Sequence, residues 1–226
     1  MTPLAVCWGW RSAFWATGVA GAAWLLWLLQ GRRPDLRSPR AAAPRGGGLR
    51  WRDPRLWGLL CVYAAGALPL AFVLYAAPLY LGGPLRLSQS DLGRVLWIPP
   101  LGLEVGFFFW GWVVDRLGAR GASSPAVRRL FVALAVLDLP LALAPGVGSA
   151  GMVVAALTLA AFLSGGFIVG TLAWATNAFP SANSGMVAGG ASSSWSALVA
   201  VAMPFFGWAF DRHAYGAAFF AAAAAP

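Results

Sequence analysis

The 226 residues are 60% hydrophobic and only 10% charged, with a mean hydropathy of +0.71, a balance that excludes an ordinary soluble domain. The formal charge of +9 rests on sixteen arginines, with no lysine anywhere, and two cysteines, Cys7 and Cys61, exclude a disulfide framework.

Thr2 to Trp8 is apolar but has neither a basic n-region nor a cleavage site, so it reads as the tail of an earlier helix. Ser12 to Gly31 forms a first span. Gly31 to Arg55 holds eight arginines among Pro34, Pro39, Pro44 and Gly46 to Gly48, and reads as a linker between spans. Leu56 to Leu81 crosses again, and Gly82 to Ser90 makes a short turn. Leu92 to Val113 returns and ends at Asp115 and Arg116. Leu130 to Pro145 is short for a crossing, so it has to borrow residues on either side. Gly151 to Thr176 follows, then a turn at Asn177 to Ser184, then Gly185 to Phe210. At ~1.5 Å per residue, spans of about 20 residues cross the ~30 Å hydrocarbon layer. Ala214 to Pro226 covers only about 20 Å, so it reads as the start of a seventh helix. Both ends therefore read as those of a fragment.

The arginines fix the orientation. The eight of the linker and Arg116, Arg120, Arg128 and Arg129 fall on one side of the alternating spans, and Arg11, Arg86, Arg94 and Arg212 on the other. The positive-inside rule makes the first side cytoplasmic. Clustering between spans assigns this charge to topology, and no nucleic-acid partner is expected. Trp8, Trp10, Trp51, Trp57, Trp97, Trp110, Trp112 and Trp208 lie near span ends, where indoles favour the interface.

Glu104 lies about 16 to 20 Å from either end of its helix, near the bilayer midplane. An ionised side chain there costs roughly 2.5 to 3.5 kcal/mol, so it has to face a cavity, find a partner or hold a proton. It is a candidate for proton coupling; the bland alternative is a neutral Glu hydrogen-bonded to a neighbouring helix. Asp138 reads as structural, drawn toward the external interface by Pro140 and Pro145. Tyr75, Tyr63 and Asn177 are candidate polar contacts in a cavity, with Tyr75 the best placed. Gly165, Gly166 and Gly170 in one helix, and Gly185, Gly189 and Gly190 in the next, permit close helix approach.

One hexapeptide recurs. Gly111-Trp112-Val113-Val114-Asp115-Arg116 is echoed by Gly207-Trp208-Ala209-Phe210-Asp211-Arg212 on the opposite face, as an inverted-topology repeat would produce. Chance is the competing explanation for so short a match.

These features together resemble the major facilitator superfamily. Gly9-Trp10-Arg11-Ser12-Ala13-Phe14 is similar to the opening of its helix six, and Gly111, Asp115, Arg116, Gly118 and Arg120 match its Gly-x-x-x-Asp-Arg-x-Gly-x-Arg loop motif. Phe179-Pro180 with Gly185 and Gly189 resembles its passage from helix ten to eleven. Ile98-Pro99-Pro100-Leu101-Gly102-Leu103-Glu104-Val105-Gly106 is most similar to the anion:cation symporters, the hexuronate-type carriers. The resemblance implies an all-α integral membrane fold, with residues 1–31 as the end of helix five and helix six. It makes 32–55 the cytoplasmic linker and 56–226 a C-terminal six-helix bundle truncated in its last helix. It further implies a multi-pass protein of the cell (inner or plasma) membrane that moves organic anions such as sugar acids with protons by alternating access. The matched loop becomes a conformational gate, and the N-terminal half, absent from this chain, a necessary partner. Asn177 stands where related carriers often have Asp, and Pro78-Leu79-Tyr80 lacks the Lys that they carry between Pro and Tyr.

No arginine lies deep in any span, and the single histidine, His213, is in an external loop, so binding cations would have to come from the N-terminal helices. Metal-ligand clusters, Cys/His pairs, a Gly-x-Ser-x-Gly elbow and phosphate loops are missing, so neither enzyme chemistry nor a cofactor is expected. The competing functions are a non-transporting membrane fragment or accessory subunit, and an efflux carrier for apolar compounds.

Overall fold

In hydrocarbon a backbone satisfies its N–H and C=O groups only within itself, so long apolar runs become helices. The computed structural model describes residues 8–30, 51–119 and 124–226, and all regular structure among them is helical. Cys7, most of the basic linker and Arg120 lie outside the described residues. The chain divides into two units, Met1–Arg45 and Gly46–Pro226. The first contains helix α1 (Trp10–Gln30).

The second unit contains four helical stretches long and apolar enough to cross a membrane: Pro54–Gly82, Gln89–Gly118, Ala150–Ala178 and Ser181–Asp211. The first is broken. Asp53 caps α2 (Pro54–Gly66) by accepting from Arg55 N, with Pro54 in the first turn where its missing N–H costs nothing. α2 stops at Ala67, and α3 (Leu68–Ala71), a π-helical turn (Phe72–Ala76) and α4 (Ala77–Gly82) complete the crossing. Pro69 and Pro78 withhold two donors from the helical ladder, which is the physical reason for irregularity here. The next crossing comprises α5 (Gln89–Val95), capped by Ser88, and α6 (Ile98–Ala119).

The short fourth span of the sequence lengthens in two ways. α7 (Ser124–Asp138) begins six residues before Leu130, and Leu139–Gly146 continues as a 3-10 helix containing Pro140 and Pro145. At ~1.5 Å and ~2.0 Å rise per residue the two parts together extend about 38 Å, enough to cross. α8 (Ala150–Ala178) and α9 (Ser184–Asp211) are long single helices, and α10 (Tyr215–Ala223) is the short last one.

α8 is the central packing element, and its glycines explain why. A Cβ on Gly165 would sit 3.3 Å from the Leu103 carbonyl oxygen, one on Gly166 3.0 Å from the Trp110 ring, and one on Gly170 3.1 Å from Phe131. From the other side, Gly106 lies so close that a Cβ would be 2.6 Å from the Phe162 oxygen. Backbones thus meet directly, as small residues allow in membrane helices. Gly185 and Gly189 of α9, by contrast, face open space, and only Gly190 approaches a neighbour, Leu60.

A second core forms where α10 packs against the 3-10 segment and the π turn. Phe72 meets Phe219 at 4.7 Å and Phe206 at 5.1 Å, and Tyr80 meets Phe219 at 4.9 Å, all edge to face. Trp110 departs from its expected interfacial role. It is 8% exposed and donates its indole N–H to the Phe162 carbonyl at 3.0 Å, because it continues the Gly102–Gly106 face that packs on α8.

Candidate functional site

Burial sorts the four long spans. The most apolar stretches of Pro54–Gly82 and Ala150–Ala178 are 72% and 56% buried, whereas those of Gln89–Gly118 and Ser181–Asp211 are 17% and 11% buried. The latter two present apolar faces outward from the unit.

Glu104 lies on one of those faces. Gly102, Gly106 and Trp110 point at α8, and a residue two positions from Gly102 is rotated about 200° around the axis, away from that contact. Glu104 is accordingly exposed, beside Leu101, Val105 and Phe108. Tyr75 belongs to the π turn of the broken span and is 56% exposed. A small cavity of about 110 Å³ between the two spans is lined by Leu74, Pro78, Pro99 and Pro100 among others. Tyr75 follows Leu74, and Glu104 lies one turn beyond Pro100, so the two polar groups occupy neighbouring depths on adjacent spans. Asn177 does not join them. It stands twelve residues, about 18 Å, beyond Gly165 near the end of α8, and its amide donates to the Ala173 carbonyl at 3.1 Å.

The break itself carries polar contacts that the sequence does not announce. Trp195 of α9 donates its indole N–H to the Ala67 carbonyl at 2.8 Å, and Ser194 donates to the Leu60 carbonyl at 3.0 Å. Pro69 and Pro78 inside one apolar run are the available signal for it. Discontinuous helices re-satisfied by neighbours are a recurrent setting for transport sites, as are π turns for functional sites generally.

At the end of α6 the loop motif is laid out along one exposed helical end. Gly111 and Gly118 have open space where a Cβ would stand. The Arg116 guanidinium lies over the Trp112 ring at 5.0 Å, and neither Asp115 nor Arg116 forms an ion pair among the described residues. The second copy repeats that geometry: Arg212 covers Trp208 at 5.1 Å. A four-residue spacing stacks the cation on the preceding turn in both. Arg120, the last residue of the motif, is outside the described residues.

Asp138 departs from expectation. Rather than reaching the water interface it is 3% exposed, with neither carboxyl oxygen hydrogen-bonded among the described residues.

Comparison with known proteins agrees with this architecture. The chain is 26% identical over 147 residues to "Ascorbate transporter, chloroplastic" of Arabidopsis thaliana, covering 57% of this chain and 27% of that protein. The chain thus spans about a quarter of that relative's length. No solved structure matches. The family model described as Major Facilitator Superfamily matches residues 3–145, well over half of the chain. With its apolar helices, its multi-pass membrane character and a transporter among its relatives, this chain belongs to the Major Facilitator Superfamily, a family of transporters rather than enzymes.

Proposed function

We propose that the chain is the C-terminal part of a proton-coupled carrier for organic anions such as sugar acids, working by alternating access with an N-terminal half. The observation that carries this reading is Glu104, the sole glutamate, in the middle of a membrane-crossing helix on a face that the rest of the unit leaves uncovered. A carboxyl at that depth is costly unless it exchanges a proton or finds a partner, and intramembrane carboxyls are the usual proton relays of carriers. Tyr75, at a neighbouring depth on the broken span, supplies a hydroxyl for a polar substrate. Asp115 and Arg116, with Gly111, Gly118 and Arg120, form a gate at the cytoplasmic end of the same helix. The outward faces of Gln89–Gly118 and Ser181–Asp211 are where an N-terminal half would pack. The name of the Arabidopsis relative adds support, since ascorbate is itself a sugar-derived organic anion.

Transport is tested with labelled glucuronate and ascorbate in vesicles carrying the carrier that contains this chain. An inward proton gradient is expected to raise uptake, and Glu104→Gln to cut the gradient-driven part at least tenfold. Uptake indifferent to the gradient would contradict proton coupling. A second reading, export of apolar compounds, draws on a cavity of about 750 Å³ between α6 and α8 lined almost wholly by aliphatic side chains. Energy-dependent extrusion of a hydrophobic dye with no anion uptake would favour it.

A further inference from the structure

We propose that Asp138 is a second proton-binding site, a neutral carboxyl enclosed where α7 runs into the 3-10 segment against α8, and independent of Glu104. Register places it there. Phe131 and Leu134 of α7 meet α8 at Gly170 and Gly166, and Asp138 lies one turn further along that same face. The 3-10 segment that begins at the next residue packs against α8 and most extensively against α10. The side chain is 3% exposed, and neither oxygen has a hydrogen-bond partner among the described residues.

Among the described residues, the elements that pack on this face bring no countercharge. α8 contains no ionisable residue along its 29 positions, and the 3-10 segment contains none. α10 contributes only Tyr215, and Tyr80 reaches the Pro145 carbonyl of the 3-10 segment at 3.4 Å. Both are phenols, uncharged at neutral pH. Arg128 and Arg129 share α7 with Asp138 but stand exposed nine and ten residues earlier, about 14 to 15 Å away along the axis. Burying a lone carboxylate costs far more than burying a carboxylic acid, so a carboxyl without cation or donor holds its proton. The other aspartates of the described unit, Asp53, Asp91, Asp115 and Asp211, are not buried.

Infrared spectroscopy of the 226-residue chain in liposomes reads this directly. A protonated carboxyl gives a carbonyl band apart from the carboxylate bands, and ¹³C at the aspartate side-chain carboxyl shifts an aspartate band while leaving glutamate unmoved. The expected result at neutral pH is one such band that shifts with aspartate labelling, persists in Glu104→Gln and disappears in Asp138→Asn. Because the isotope experiment needs no substitution, it holds even if Asp138→Asn fails to fold. Absence of any aspartate-dependent carbonyl band from the folded chain at neutral pH would overturn the proposal, and would leave the transport reading, which rests on Glu104, untouched.

Discussion

Gly106 and Gly111 stand on one helix five residues apart, yet they do different things. A Cβ on Gly106 would be 2.6 Å from the Phe162 oxygen and 3.1 Å from its Cα, all backbone that cannot step aside. Gly106→Val is therefore expected to destabilise the folded chain in detergent by about 1 to 3 kcal/mol. Gly111→Ala, which meets nothing within 4 Å, is expected to stay within about 0.5 kcal/mol of the parent. Thermal unfolding followed by retained monodispersity compares the pair, and equal loss in both would refute the contact. Trp110→Phe keeps the aromatic surface but removes the donor to Phe162, with an expected loss of about 0.6 to 1 kcal/mol in the same assay.

The residue-level map also shows where sequence reading reaches its limit. Glu104 is legible as an intramembrane carboxyl because depth follows from counting along the helix. Trp110 is misread as interfacial because counting gives depth and not azimuth: only its four-residue step from Gly106 reveals that it faces α8. Asp138 suffers the same ambiguity, since the neighbouring prolines point it toward the external interface whereas the 3-10 continuation keeps the chain packed and the carboxyl enclosed.

At the scale of elements, the broken span Pro54–Gly82 sets the character of the bundle. Its apolar run is legible in sequence as one crossing; the π turn is not, because proline announces lost donors without stating how the chain re-forms around them. Pro78→Ala returns an N–H to the turn that follows Leu74. The expected outcome is a more regular helix across Phe72–Ala76, with stability equal or higher and transport reduced, the first measured by spin-label distances across the segment and the last by vesicle uptake. A π turn that persists unchanged would show that packing of Phe72 and Phe219, rather than Pro78, imposes it. The short fourth span makes the complementary point: the sixteen residues of Leu130–Pro145 are few for a crossing, and six helical residues before them together with the greater rise of a tighter helix supply the missing length.

For the whole molecule, successive crossings joined by short turns alternate in direction. That alternation brings Arg55, Arg116, Arg128 and Arg129 to one side and Arg86, Arg94 and Arg212 to the other. It also sets the two Gly-Trp-x-x-Asp-Arg ends on opposite faces, each with its arginine stacked on tryptophan. The four long apolar stretches of this unit and their order were legible because hydrophobic length is a direct consequence of bilayer thickness. The faces left uncovered by Gln89–Gly118 and Ser181–Asp211 were not, since apolar residues that meet protein and apolar residues that meet lipid look alike in sequence.

Membrane-sided cysteine labelling tests the alternating architecture most directly. In a Cys7→Ser, Cys61→Ser background, Gln89→Cys and Ala182→Cys place single thiols at exposed positions on opposite faces. The account predicts that a membrane-impermeant maleimide added to intact cells modifies Gln89→Cys alone, and both once the membrane is opened. Modification of both thiols in intact cells, or of Ala182→Cys alone, would contradict it.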